Sequence, residues 1–146
     1  MTITTTSEAN VQQAVPFLWV HDIQRALRFY VDGLGFRMTH QWVDDRTLRW
    51  CWLELGEAAI MLQEFWKEGH HQNLPDGKLG QGVSICFICK DAVALWREFL
   101  ARGVSAHRPF VGNSMWVTQV SDADGYHLAF ESATTAPEET VLPQDE

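Results

Sequence analysis

VPFLWVHDIQRALRFYVDGLGF, Val15 to Phe36, is an apolar run, then an Asp, then apolar residues at helical spacing, then a Gly-marked stop and a new apolar start. Asp22 is placed to cap a helix whose buried stripe is Ile23, Ala26, Leu27 and Tyr30, with Gly33 and Gly35 ending it. The same order returns in VSICFICKDAVALWREFLARGVSAHRPF, Val83 to Phe110, where Asp91 caps a helix with Ala92, Leu95, Trp96, Phe99 and Leu100 on one face and Gly103 at its end. A chain that repeats itself in this way builds two like modules. If the copies face each other, the space between them is the expected site.

Outside these runs, strands are expected over 36–43, 47–55 and 58–65 in the first half and over 105–110, 115–121 and 126–131 in the second. Asp44-Asp45-Arg46 and Asp122-Ala123-Asp124-Gly125 read as turns. Each half runs strand, helix, strand, strand, strand, which predicts an α+β fold of two βαβββ modules. The expected organisation is a flexible N-terminal arm at 1–13 and one domain at 14–132, with modules at about 14–65 and 83–132 joined by a linker at 66–82. A flexible acidic tail follows at 133–146, rich in Glu and Pro. Laying Asp22 on Asp91 pairs Val15 with Ser84. Laying the last strands on each other pairs Met61 with Ala129 and Gln63 with Glu131, one residue out of step with the caps.

The 146 residues, 46% hydrophobic, suffice for one ordinary core. No apolar run approaches the roughly 18 residues of a membrane span, and MTITTTSEAN lacks the basic and apolar parts of a secretory signal. The cytoplasm is the expected location and no membrane partner is expected. A net charge of −8 opposes binding to a phosphate backbone, so no nucleic-acid partner is expected either. Cys51, Cys86 and Cys89 lie in apolar strand-like runs and read as buried thiols. The C-x-x-C at Cys86 and Cys89 falls inside a strand without a second ligand pair for zinc.

The signature D-I-x-x-A-x-x-F-Y-x-x-x-L-G-F at Asp22 to Phe36, the D-x-D-G-Y turn at Asp122 to Tyr126 and the duplicated order resemble the vicinal oxygen chelate superfamily, which includes glyoxalase I, extradiol dioxygenases and bleomycin resistance proteins. The resemblance covers about residues 15–132 and implies a cup-shaped fold. It departs from the usual pattern at Ala123, where Pro is common. It also implies that metal enzymes of the family would draw ligands from the places of Val15, Met61, Ser84 and Ala129. None of these four offers an imidazole, carboxylate or thiolate. No metal and no cofactor are therefore expected, and the closest character is that of metal-free bleomycin-resistance-like members, which hold a bulky cationic drug in a groove shared by two subunits.

By strand alternation the concave face is expected to carry Phe17, Trp19, Trp50, Trp52, Glu54, Gln63, His127 and Glu131 as ligand-binding residues, with Ala59 and Cys86 beside them. An aromatic cavity with a few carboxylates suits a small aromatic or cationic organic ligand held by a homodimer. Two alternatives share the fold. One is a metal-dependent lyase or dioxygenase with a shifted ligand set drawn from His127, Glu131 and Glu64 or Glu54, or from the His70-His71 pair. The other is a metal-independent enzyme with His127 as base and Glu131 orienting it.

Overall fold

The computed structural model describes residues 9–69 and 74–144. Its elements, in chain order, are β1 (Phe17–Val20), α1 (Ile23–Leu27) continued by a π-helical turn (Arg28–Gly33), β2 (Arg37–Asp44), β3 (Thr47–Leu55), β4 (Ala58–Glu64), β5 (Ser84–Ile88), α2 (Ala92–Ala101), β6 (Phe110–Gly112), β7 (Met115–Ser121) and β8 (His127–Ala133). Two four-stranded sheets form, ordered β1-β4-β3-β2 and β5-β8-β7-β6. In each, the outer pair β1/β4 or β5/β8 is parallel and the remaining pairs are antiparallel. The α+β architecture of two βαβββ modules is therefore the one the sequence leads to.

Both helices start as their sequences dictate. The Asp22 side chain accepts from the Arg25 N–H at 3.1 Å, and Asp91 accepts from the Ala94 N–H at 2.9 Å. The first helix then departs from the uniform helix expected. The Leu34 N–H donates to the Phe29 carbonyl and the Phe36 N–H to that of Tyr30, which widens the last turn into a π-helix. Gly33 closes this turn against the second module. A Cβ there would lie 2.7 Å from Cγ2 of Val104, so only a hydrogen fits.

One side of each sheet is covered by its helix, and these two sides contribute to one core. Leu18, Val20, Cys51, Leu53, Ile60 and Leu62 from the first module share it with Phe87, Leu128 and Phe130 from the second. The rings of Phe36 and Phe87 meet edge to face at 5.9 Å across the boundary. The centre of the region where the two copies meet is thus filled by packed side chains, because the amphipathic helices and the strand faces beneath them have no other place to bury their apolar stripes. Open space between the copies is found at the rim, beside His21, Arg25 and the Asp122 turn.

Polar contacts fix the modules to each other at the D-x-D-G-Y turn. The Tyr30 hydroxyl donates to Asp122 Oδ2 at 2.7 Å, while Asp122 Oδ1 accepts from the Asp124 and Tyr126 amides at 3.0 and 2.9 Å. Arg25 pairs with Asp124 at 3.1 Å, and the Tyr126 hydroxyl donates to the Trp19 carbonyl at 2.7 Å. In the linker, Gly80 lies so close to Gly125 that a Cβ would sit 2.6 Å from its carbonyl oxygen.

Three local expectations change. The strand expected over 105–110 shrinks to β6, with Ala106 making one bridge to Val120. Pro109, which lacks an N–H, interrupts the ladder before it. Residues 134–144 are tied down where a flexible tail is expected. The Val111 N–H donates to the Thr140 carbonyl, the Glu139 N–H donates to Val111, and the Glu138 carboxylate accepts from Asn113 and Ser114 at 2.7 and 2.8 Å. The tail supplies the backbone partners that the edge strand β6 lacks. Finally, the strand expected over 36–43 does not alternate evenly: Thr39 is an extra residue in the β2/β3 register, so Met38 faces away from His40 and Trp42.

Burial, helped by the nearby Asp124, raises the Asp122 carboxyl above its ordinary value of 3.8, against hydrogen bonds from Tyr30 and the backbone that lower it. Stability from a carboxyl raised in the folded state is fully present below its unfolded value and is lost as pH rises through the folded one. The Tyr30 donor offsets that loss. Tyr30→Phe is expected to lower the unfolding free energy by about 2 kcal/mol at neutral pH. The loss should shrink in acid, where a neutral carboxyl needs the donor less. Urea denaturation on both sides of the Asp122 titration checks this, and an equal loss at both pH values would contradict it.

Candidate functional site

The faces turned away from the helices carry the unusual side chains. On the first sheet, register alone assembles two rows. Trp19, Gln63, Trp50 and Trp42 lie side by side across β1, β4, β3 and β2, and Phe17, Met61, Trp52 and His40 form the row beside them. A shorter row of Ala59, Glu54 and Arg37 continues the face. Phe17 and Trp42 remain 41% and 47% exposed, so this aromatic surface is open to a partner.

The aromatic side chains are ordered against each other. Phe17 stacks on Trp19 with centroids 5.4 Å apart and planes 5° from parallel. Trp19 continues onto Phe65 at 5.7 Å, and His21 meets Phe65 at 5.3 Å. Trp52 donates through its indole N–H to Glu54 at 2.9 Å and meets His40 edge to face at 6.3 Å. Glu54 also lies 3.9 Å from Arg37. Its carboxylate is therefore engaged within the sheet.

Behind one end of this face, Arg49 is the extra residue in β3. Its guanidinium sits 3.6 Å from Glu64 and 3.8 Å over the Trp66 ring. Glu64 in turn accepts from the Ile23 N–H at 2.9 Å, so the ion pair is anchored at the start of α1.

The open face of the second sheet is polar. Ser84, His127 and Ser121 form one row across β5, β8 and β7, Cys86, Ala129 and Gln119 the next, and Ile88, Glu131 and Val117 a third. The His127 Nδ1 is hydrogen bonded to the Ser121 hydroxyl at 2.9 Å. Glu131 lies two residues beyond Ala129 on the same strand, so the expected pairing in which Glu131 orients His127 is not made. Ser121 holds the ring. Of the three thiols expected to be buried only Cys51 is: Cys86 is exposed and Cys89, half-buried, lies past the end of β5, because alternation turns Cys86 to the open face. Partial desolvation, with the Glu131 carboxylate adding to it, pushes the Cys86 thiol up to about 11. A thiol held protonated is a poor nucleophile and a poor metal ligand.

Of the residues expected to bind ligand, Phe17, Trp19, Trp50, Trp52, Glu54 and Gln63 thus share one open face, and His127 and Glu131 share the other. Among the described residues no hydrogen bond, ion pair or ring contact joins the two sets. Sequence reading missed His40, Trp42 and Ser121. Alternation would have found the first two only with knowledge of the bulge at Thr39, and Ser121 emerges only from the β7/β8 register.

The metal places can be tested on donor chemistry. Met61 lies between Phe17 and Trp52, Ser84 opposite His127, and Ala129 between Cys86 and Gln119. Val15 precedes β1. This set does not fit a divalent ion. Among the described residues, no group of three or more His, Cys, Asp or Glu is placed to hold one. His70 and His71 lie outside the described residues.

Residues 11–130 match the sequence model of the Glyoxalase/Bleomycin resistance protein/Dioxygenase superfamily. The chain belongs to this superfamily. Solved structures with the superfamily's fold include TioX from Micromonospora sp. ML1, 19% identical, covering 84% of this chain and 99% of that one with a TM-score of 0.66. TnmS3, an antibiotic binding protein from Streptomyces sp. CB03234, is 17% identical over 84% and 98% of the two chains with a TM-score of 0.59. A bleomycin-binding protein complexed with bleomycin is 19% identical over 84% and 98%, with a TM-score of 0.61. At these identities the likeness is one of fold. No curated protein matches the sequence. No described helix is long and apolar enough to cross a membrane.

Purified protein is expected to carry a divalent metal at well below one equivalent per chain, and added zinc, nickel or manganese should not raise its melting temperature. Elemental analysis and thermal shift measure both. A stoichiometric ion that survives dialysis would show that a shifted ligand set exists in this superfamily member.

Proposed function

We propose that this protein binds, and so sequesters, a small organic ligand with a flat aromatic part, in a cup whose two walls come from two copies of the chain. The observation that carries the reading is the pair of cross-strand rows containing Trp19, Trp42, Trp50, Trp52 and Phe17 on an open sheet face. Large aromatics are usually placed where they bury area, and a stacked, rigid set left open is suited to clamping a planar molecule at little entropic cost. The fold shared with proteins that bind bleomycin or another antibiotic supports the same reading.

The same faces suit a homodimer. One chain keeps both open faces outside its core, so an aromatic wall gains an opposite wall only from a second copy. In such a cup the polar second face supplies hydrogen bonds to the polar end of the ligand. No step of the proposal needs a metal or a nucleophile. The protein acts by removing its ligand from solution, in the cytoplasm.

Titration with bleomycin-type drugs and planar aromatic dyes should quench tryptophan fluorescence saturably. Trp50→Ala and Trp52→Ala are each expected to weaken binding roughly three- to tenfold while leaving the fold intact. Sedimentation should give twice the chain mass. Turnover of methylglyoxal-glutathione adduct with no quenching by any planar ligand would overturn the sequestration reading in favour of catalysis.

A further inference from the structure

The polar face contains a recess of about 350 Å³ lined by Ser84, His107, Gln119, Ser121 and His127. Its side chains come together by register. Ser84 and Ser121 flank His127 from the strands on either side, and the His107 N–H donates to the Gln119 carbonyl at 3.0 Å, which lays the 105–107 segment along β7. Two hydroxyls, two imidazoles and one primary amide, all on exposed residues, thus line one open recess, with Val120 and Leu128 as its other lining residues. None carries negative charge, and the Ser84 hydroxyl, the Gln119 amide and an imidazole N–H can donate, whereas the Ser121 hydroxyl is engaged with Nδ1 of His127.

The neighbouring cavity, about 630 Å³, shares His127 and adds His21, Arg25 and Lys78 together with Asp122 and Asp124. These two carboxylates are already committed. Asp122 takes Tyr30 and two amides, and Asp124 takes Arg25. Glu131, the acid on the same sheet face, stands four residues along β8, roughly 13 Å away at strand spacing. Arg25 and Asp124 neutralise each other in their ion pair, which leaves Lys78 as the cation of this neighbouring cavity with no ion pair among the described residues. Since Ser121 occupies Nδ1 of His127, Nε2 is the ring nitrogen left for a ligand.

The geometry points to an oxyanion subsite: this recess receives a carboxylate or phosphate group on the small molecule that the cup takes, with the His127 ring, held by Ser121, as its central contact. The ligand is therefore an aromatic acid or acid-bearing aromatic rather than a purely cationic one. This rests on the proposed aromatic cup for the ring system only. The oxyanion contacts lie within one chain.

Three probes separate the parts: 2-naphthoate, 2-naphthylmethylammonium and the uncharged 2-naphthylmethanol, each followed by tryptophan quenching, with inorganic phosphate followed by histidine side-chain NMR. Naphthoate is expected to bind roughly tenfold more tightly than the ammonium probe. Phosphate and naphthoate should both move the ring resonances of His127 and His107. Ser121→Ala and His127→Asn should each weaken naphthoate roughly fivefold or more, with naphthylmethanol binding unchanged, which also reports that the variants keep their fold. Equal or tighter binding of the ammonium probe, or naphthoate affinity indifferent to both substitutions, would overturn the subsite while leaving the aromatic cup standing. Phosphate-dependent shifts at His127 without quenching by any naphthalene would keep the subsite and overturn the cup.

Discussion

The hydrogen bond from Tyr30 to Asp122 joins the two sequence signatures of the chain, the helix of the first module and the turn of the second. Both groups are buried, so each would be costly alone. Together with the Arg25–Asp124 pair and the contact from Tyr126 to Trp19, the bond sets how one sheet lies against the other. It also gives a use to the π-helical turn, which begins at Arg28 and contains Tyr30.

Most of the large apolar side chains among the described residues are buried on the helix side of the sheets, which leaves the opposite faces to the aromatic and polar side chains. Leu53 and Ile60 are fully buried, whereas Trp50 and Trp52, one residue to either side of Cys51, are only half-buried on the other face. One face is rich in indole rings and the other in hydroxyls, imidazoles and an amide, so the two walls are chemically unlike. A cup assembled from them would grip a molecule that has two different ends.

Much of the fold is legible in the sequence because two signals coincide, a capping Asp before each helix and a glycine after it, repeated in both halves. Face assignment by alternation is equally direct for Leu53, Trp52 and Ile60. It fails in β2, where Thr39 inserts a residue and sends His40 and Trp42 to the face opposite Met38. Nothing local marks that insertion, since a bulge is settled by the partner strand. The same holds for Ser121 and His127, whose pairing is a property of β7 lying beside β8. The ordered tail was hidden for another reason. Its polar composition argues for disorder, but its backbone groups find partners on β6 that composition does not reveal.

That tail matters beyond its own length. Sheets grow by offering unpaired backbone to another chain, and β6 would otherwise be such an end. With Val111 exchanging hydrogen bonds with residues 139 and 140, and Leu142 bonded to Pro109, the end is closed from within. Glu138 and Glu139 add negative charge beside it. The tail is a stopper: it confines association to finite, face-to-face contacts and denies the chain a route to strand-by-strand fibre growth at that edge.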